Sequence, residues 1–372
     1  MRLPAAPLED WLRERYFTAE IDISSSGVQP YTMAELRAVT GLRYADLDAL
    51  EFTDGYSVGS LAVREAIARR WGDGDAGRVL TSNGSSEAIS LVLAGLLSPG
   101  DEVVVVRPGY HLLIEFALSL GCTPKVWRLD PGRDWRPSLD ELDELVTPRT
   151  RAIIMNFPHN PTGTGILGPE LLRVVEIAGR AGAYLLSDAA FADLVPDDNR
   201  LPHVATLYDR GIDFGTFSKA FGLPGLRFGW CLAPPEVIEG CVRIRDYTTL
   251  HVAPIVELLA LGVIEHADAF VRPRLRQATR NLEMLEKWVA GNAGRVEMAP
   301  VLGGVAAFPR LTGVGSADAF CERLFRDRGV LVVPGSCFGA PEHVRIGYGG
   351  PAAELAAGLD RLAQALSEWP PA

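Results

Sequence analysis

Cysteine is scarce in this sequence, and the five present (Cys122, Cys231, Cys241, Cys321 and Cys337) are scattered, odd in number and never spaced as CxxC. That excludes a disulfide framework and a zinc-ribbon site, and no bound metal is expected. No stretch reaches the roughly 18 consecutive apolar residues that a membrane span needs, and MRLPAAPLEDWLRERYF has no uninterrupted apolar core of a signal peptide. No membrane partner is expected, and the location expected is the cytoplasm. Clustered Lys and Arg are also missing, and the formal charge is −11, so nucleic acid is not an expected partner. An acidic chain suits a cationic small molecule better. Internal repeats and low-complexity segments are absent.

At 372 residues, 48% of them hydrophobic, the chain is longer than a single core usually serves, so two domains are expected. From about Gly59, short apolar runs alternate with helical patterns. Strands are expected at Arg78–Thr81, Glu102–Arg107, Arg151–Asn156, Ala183–Ser187, Gly211–Phe217 and Arg227–Ala233, each bounded by turn-forming residues. Helices are expected at Ser60–Trp71, Ser85–Leu97, His111–Leu120, Ser138–Val146 and Gly168–Ala181, where Pro169 suits a first turn. The order implies parallel strands with crossover helices, an α/β doubly wound domain. After Pro254 come two long helical stretches and the short strand-like runs GRVEMAP, GGVAAFPRL and GVLVVPGSCFG, a smaller α+β unit. The expected division is residues 35–255 for the large domain, with 1–34 and 256–372 forming the small one. The opening segment is expected to pack on the small domain or to reach over a site.

The chemistry concentrates at strand ends. In DFGTFSKAFGLPGLRFG, Lys219 follows an apolar strand, where desolvation lowers an amine pKa and frees it as a nucleophile and Schiff-base former. Thr216, Ser218 and Arg227 around it suit a phosphate dianion. LLSDAAF ends an apolar strand in Asp188, whose carboxylate suits a pyridinium N–H, although a helix N-cap explains it equally. Gly84, Ser85 and Ser86 lie between a strand and a helix, a place for an anion or for a plain capping box. Asn160, in NFPHNPTGTG, is placed to donate to a phenolic oxygen or simply to start a turn. Tyr110 in VRPGYHLL is placed to stack on a ring. Arg345, in HVRIGYGG, suits a substrate carboxylate or a structural ion pair. Together these residues point to pyridoxal phosphate carried by Lys219 as a Schiff base, and to an amino-acid substrate.

With these motifs in order, from about Asp54 to the C-terminus, the chain resembles the fold type I, aspartate-aminotransferase-like family of pyridoxal-phosphate enzymes. The resemblance implies a large, mainly parallel-sheet domain plus a smaller α+β domain, and a homodimer with active sites at the interface. It assigns Lys219 as Schiff-base lysine, Asp188 as pyridine-nitrogen partner, Asn160 as donor to the phenolic oxygen, Tyr110 as stacking aromatic and Arg345 as carboxylate clamp. Gly84, Ser85, Ser86, Thr216, Ser218 and Arg227 surround the phosphate. Tyr56, in DGYSVGSL, is the candidate to reach the partner's phosphate, though its spacing to Gly59 is shorter than usual. Phe191 stands where the family commonly has Tyr, which removes one donor to the phenolic oxygen and suits chemistry other than ordinary transamination.

The opening LPAAPLEDWLRERYF, followed by DISSSGV, is similar to that of the branch whose members cyclise 3-hydroxyarginine in peptide-antibiotic biosynthesis. The likeness implies a cyclase that expels the 3-hydroxyl as water and closes a ring through the guanidine. Lys219 then carries the Cα proton and Arg345 the carboxylate, with Gly27 also at the substrate. Glu9 or Asp10 would orient the guanidine, Glu9 being preferred, unless both are surface charges. An aminotransferase passing the amino group to a 2-oxo acid is the alternative, and a non-catalytic pyridoxal-phosphate-binding regulator a more distant one.

Overall fold

The computed structural model describes residues 3–196 and 199–369, so residues 1–2 and 370–372 of the expected small domain lie outside the described residues. Strand β1 (Ile21–Asp22) belongs to the opening segment. The large sheet is built from β2 (Val79–Ser82), β3 (Glu102–Arg107), β4 (Thr123–Arg128), β5 (Thr150–Met155), β6 (Tyr184–Asp188), β7 (Gly211–Thr216) and β8 (Gly229–Leu232) in the order β2-β8-β7-β6-β5-β3-β4. β3 shows why: EVVVVR is an unbroken β-branched run and is buried on both faces, as a central parallel strand covered by helices requires.

Helices Ser85–Leu96, His111–Ser119, Leu139–Leu145 and Gly168–Ala181 make the crossovers. In the last, Glu170 accepts the Leu167 N–H, Pro169 occupies the first turn, Gly182 ends the helix in a left-handed conformation, and Leu171, Val174, Ile177 and Ala178 form its buried stripe.

Two expectations need correcting. β8 is not parallel: it runs antiparallel to both β2 and β7, because only the loop 217–228 separates it from β7 and no crossover helix intervenes. β4 was not anticipated; its TPKVWR sequence carries Pro124 and exposed polar residues, which an edge strand tolerates and a central one does not. Element ends move by one or two residues. β6 extends through Asp188 rather than stopping at Ser187, so the carboxylate stands on the strand's carboxyl end.

Beyond the long helices Pro254–Glu265 and Ala267–Gly291 the strands are short: β9 (Val296–Glu297), β10 (Ala306–Ala307), β11 (Arg310–Leu311), β12 (Val330–Leu331), β13 (Val333–Pro334) and β14 (Val344–Gly347). β14 lies between β10 and β13, antiparallel to both, and sets Arg345 in its middle. In the opening segment, β1 pairs in parallel with β12, the Trp11 indole N–H of helix Pro7–Arg15 donates to Val332 O at 2.9 Å, and Leu8, Glu9 and Leu12 of that helix line the same cavity as Asp188 and Lys219.

Leu185 is completely buried as the second residue of β6, three residues before Asp188. Leu185→Ala is expected to cost about 2–5 kcal/mol of stability, read as a lower urea midpoint with an unchanged slope.

Candidate active site

Strands β2, β3, β5, β6 and β7 deliver their C-terminal loops to one cavity of about 810 Å³, the place where open α/β sheets bind ligands. Glu9, Gly27, Ser85, Ser86, Tyr110, Asn160, Asp188, Thr216, Ser218, Lys219, Arg227 and Arg345 all line it, although they span almost the whole chain. Phe191 lines it as well. Gly84 sits just behind this wall, while Asp10 and the exposed Tyr56 are not part of it.

Arg345 is 2% exposed. Its Nη1 donates to Asn160 Oδ1 at 3.1 Å and its Nη2 to Ser24 O at 2.8 Å; Nε has no partner. Among the described residues it forms no salt bridge, so the ion-pair explanation does not hold. Burial pulls its pKa down to about 10. A buried guanidinium whose hydrogen-bond acceptors are both neutral suits a carboxylate ligand. Because Asn160 Oδ1 accepts from Arg345, the amide's NH2 group is left to donate.

Asp188 carries the opposite charge in the same cavity. Among the described residues its carboxylate accepts one hydrogen bond, from Ala190 N at 3.2 Å, and it caps a turn rather than a helix. Burial lifts its pKa to about 6. Such a group wants a cationic N–H. Across the cavity, Lys219 Nζ donates to Ser26 Oγ at 2.9 Å and sits 5.9 Å from the centre of the Phe191 ring. Desolvation and the charge of Arg345 pull the Lys219 pKa down to about 8. Tyr110 is pushed up to about 12 by burial and by the negative charge of Glu9.

The anion end is a cup. Ser85 and Ser86 open a helix whose N-cap is Gly84, with φ of 85° and no side-chain cap, so the capping-box explanation fails; Glu87 N donates to Gly84 O, while the Ser85 and Ser86 N–H groups have no partner among the described residues. A Cβ on Gly84 would lie 2.4 Å from Arg227 Nη2, so only glycine lets the guanidinium close over the helix terminus. Arg227 Nη1 also donates to Ser218 Oγ at 3.3 Å, and Thr216 Oγ1 and Ser218 Oγ are 3.1 Å apart.

Two residues were not singled out from the sequence. Buried Asn156 receives the Asn160 N–H and donates to Asp188 O at 2.7 Å, tying two site residues together; a lone Asn closing the apolar run of β5 was the available signal. Ser26, in SSSG, gave none.

The donor set fits pyridoxal phosphate: a phosphate cup at a helix terminus, a buried carboxylate with no salt bridge among the described residues, a free amide donor, an aromatic wall and a desolvated amine.

Residues 51–362 match the model of the class I and II aminotransferases, and the chain belongs to that family. It is 46% identical over 366 residues to the capreomycidine synthase of Streptomyces vinaceus, covering 98% of this chain and 94% of that protein. The crystal structure of the PLP-dependent cyclase OrfR superposes with a TM-score of 0.94 at 41% identity over 99% of this chain and 98% of the other. A PLP-dependent aminotransferase from Streptococcus suis 89-1591 superposes with a TM-score of 0.95 at 29% identity over the full length of both.

With its folded pKa at about 6, above the ordinary 3.8, Asp188 binds its proton more tightly in the folded ligand-free protein than in the unfolded chain. Its contribution is complete below about pH 4 and is lost as pH rises through 6, up to about 3 kcal/mol at pH 7. Urea unfolding of cofactor-free wild type is therefore expected to weaken over that range relative to Asp188→Asn; parallel pH profiles would contradict this.

Proposed function

We propose that this protein is a pyridoxal-phosphate-dependent cyclase that converts 3-hydroxy-L-arginine to capreomycidine, losing water and closing a six-membered ring through the substrate's guanidine, in peptide-antibiotic biosynthesis. The observation that carries this reading is identity of 46% to a capreomycidine synthase across 98% of the chain, including the opening segment whose Glu9 and Gly27 border the cavity.

Ser85, Ser86, Thr216, Ser218 and Arg227 would hold the phosphate, Asp188 would pair with the ring nitrogen, Asn160 would donate to the phenolic oxygen and Tyr110 would stack on the ring. When bound, pyridoxal phosphate supplies a ring that accepts electron density and stabilises negative charge at the substrate Cα. Arg345 clamps the α-carboxylate with two N–H groups. Lys219, which would hold the cofactor at rest, takes the Cα proton, and after water has left it delivers to Cα the proton that the guanidine nitrogen gives up on closing the ring; an amine with a pKa of about 8 does both near neutrality. Gly27 lines the substrate's path. Glu9, whose charge is felt at Tyr110, His111, Lys219 and Arg345, orients the guanidinium. Phe191 keeps a hydroxyl out of the pocket above Lys219.

The cation-seeking substrate side, residues 35–255 and the two flanking segments as domains, and a cytoplasmic setting belong to the same proposal. The cysteines are free, and no described helix is long and apolar enough to cross a membrane. A homodimer is part of it too. Phe52, Tyr56, Tyr247 and Leu250 are exposed, and the two segments that carry them meet where His251 Nε2 lies 3.5 Å from Asp54. A second copy covers this patch and brings Tyr56 to its partner's phosphate. Sedimentation should give twice the chain mass of 40.2 kDa; a single-chain mass refutes the dimer.

Cofactor-loaded protein given 3-hydroxyarginine without any 2-oxo acid is expected to yield a product lighter by one water with all its nitrogen retained. A keto acid formed only when 2-oxoglutarate is added would make the protein an aminotransferase. Glu9→Gln is expected to raise the KM for 3-hydroxyarginine about tenfold, the weight of one charge-assisted hydrogen bond; an unchanged KM removes Glu9 from the guanidine site.

A further inference from the structure

Hydroxide is a poor leaving group, and in the cyclase reading a single amine, Lys219, must serve both Cα and an oxygen one carbon further along. The structure places another hydroxyl at that amine. Lys219 Nζ donates to Ser26 Oγ at 2.9 Å, a contact between residues far apart in sequence. On another side Nζ meets the Phe191 ring, which offers no lone pair. Ser26 is 7% exposed and borders the cavity. A hydroxyl that accepts from an amine still has its own proton to give, and among the described residues the Ser26 O–H finds no acceptor in the protein. That proton is available to a substrate oxygen.

The turn that carries Ser26 is held rigidly. Gly347 N donates to Ile23 O at 2.8 Å, and Gln29 N to Gly349 O at 3.0 Å. A Cβ on Gly347 would lie 1.8 Å from Ser25 O, so the turn lies flush against the end of β14. The neighbouring Ser24 O accepts Arg345 Nη2 at 2.8 Å. One short turn thus touches the carboxylate clamp through its backbone and the proton-carrying amine through a side chain, which sets the distance between them.

We infer that Ser26 is a catalytic residue that relays the proton from Lys219 to the departing 3-hydroxyl; the inference rests on the cyclase reading above. The step balances within the site. Lys219 Nζ, holding the proton taken from Cα, passes one to Ser26 Oγ as the Ser26 O–H proton passes to the 3-hydroxyl oxygen. The Cβ–O bond breaks with its electron pair on oxygen, water leaves, and the pair left at Cα forms the Cα–Cβ double bond. Ser26 ends as it began, and no outside acid is consumed.

Full-length wild type, Ser26→Ala and Ser26→Thr, each loaded with cofactor, test it. Water loss from 3-hydroxyarginine, read by mass, is expected to fall about 10²-fold or more in Ser26→Ala and to recover to within about tenfold of wild type in Ser26→Thr, which keeps the hydroxyl. Exchange of the Cα proton of arginine for solvent deuterium needs no leaving group and is expected to fall by less than about tenfold in Ser26→Ala. In the cofactor-free chain, removing an acceptor from the ammonium lowers its pKa against the fixed charges facing it, Arg345, Asp188, Glu9 and Arg227. Carbamylation of Lys219 by cyanate near pH 7 is then expected to speed up about fivefold in Ser26→Ala. Water loss by Ser26→Ala within about threefold of wild type, or equal losses of water release and Cα exchange, overturns the relay. Wild type that releases no water from 3-hydroxyarginine overturns the cyclase reading, and the relay with it.

Discussion

Two opposite charges, the Arg345 guanidinium and the Asp188 carboxylate, are buried in one cavity without neutralising each other. Each faces neutral partners on the protein side, Asn160 and Ser24 for the arginine and Ala190 N for the aspartate. Leaving charges so placed is costly, and the cost is recovered only when a ligand brings a carboxylate to one and a cationic N–H to the other. The rest of the site serves to keep them apart and aligned.

Asn156 and Asn160 do much of that alignment. Asn156 receives the Asn160 N–H and holds the backbone of Asp188, while Asn160 in turn receives Arg345. A chain of three hydrogen bonds therefore runs from the end of β6 across the loop after β5 to β14, joining the large sheet to the small unit. The amine at Lys219 is tuned by the same fields, since burial and Arg345 lower its pKa while Asp188 and Glu9 raise it. Its position owes as much to the opening segment, through Ser26, as to the strand it follows.

The residues that line the cavity were legible because they stand where strands end: Asp188 closes β6, Thr216 closes β7 with Ser218 and Lys219 just beyond, and Ser85 follows β2. Apolar runs followed by a polar residue mark such places in any α/β chain. The antiparallel course of β8 was hidden, since a buried apolar strand looks the same in either direction and only the short loop before it hinted at a return. Edge strand β4 was hidden by its polarity. Asn156 and Ser26 escaped because an Asn in a run of loop residues and a Ser in a serine-rich turn look like ordinary turn formers.

By itself, the sequence determined the class of fold and singled out Lys219, Asp188 and Arg345 as candidates, because local patterning of apolar runs and strand-end polar residues is set by neighbours along the chain. Only the tertiary structure decided that Arg345 forms no salt bridge among the described residues, that Phe191 walls one side of Lys219, and that Ser26 meets its amine. Those depend on which distant surfaces close on one another, and packing of the opening segment against β12 and β14 settles that.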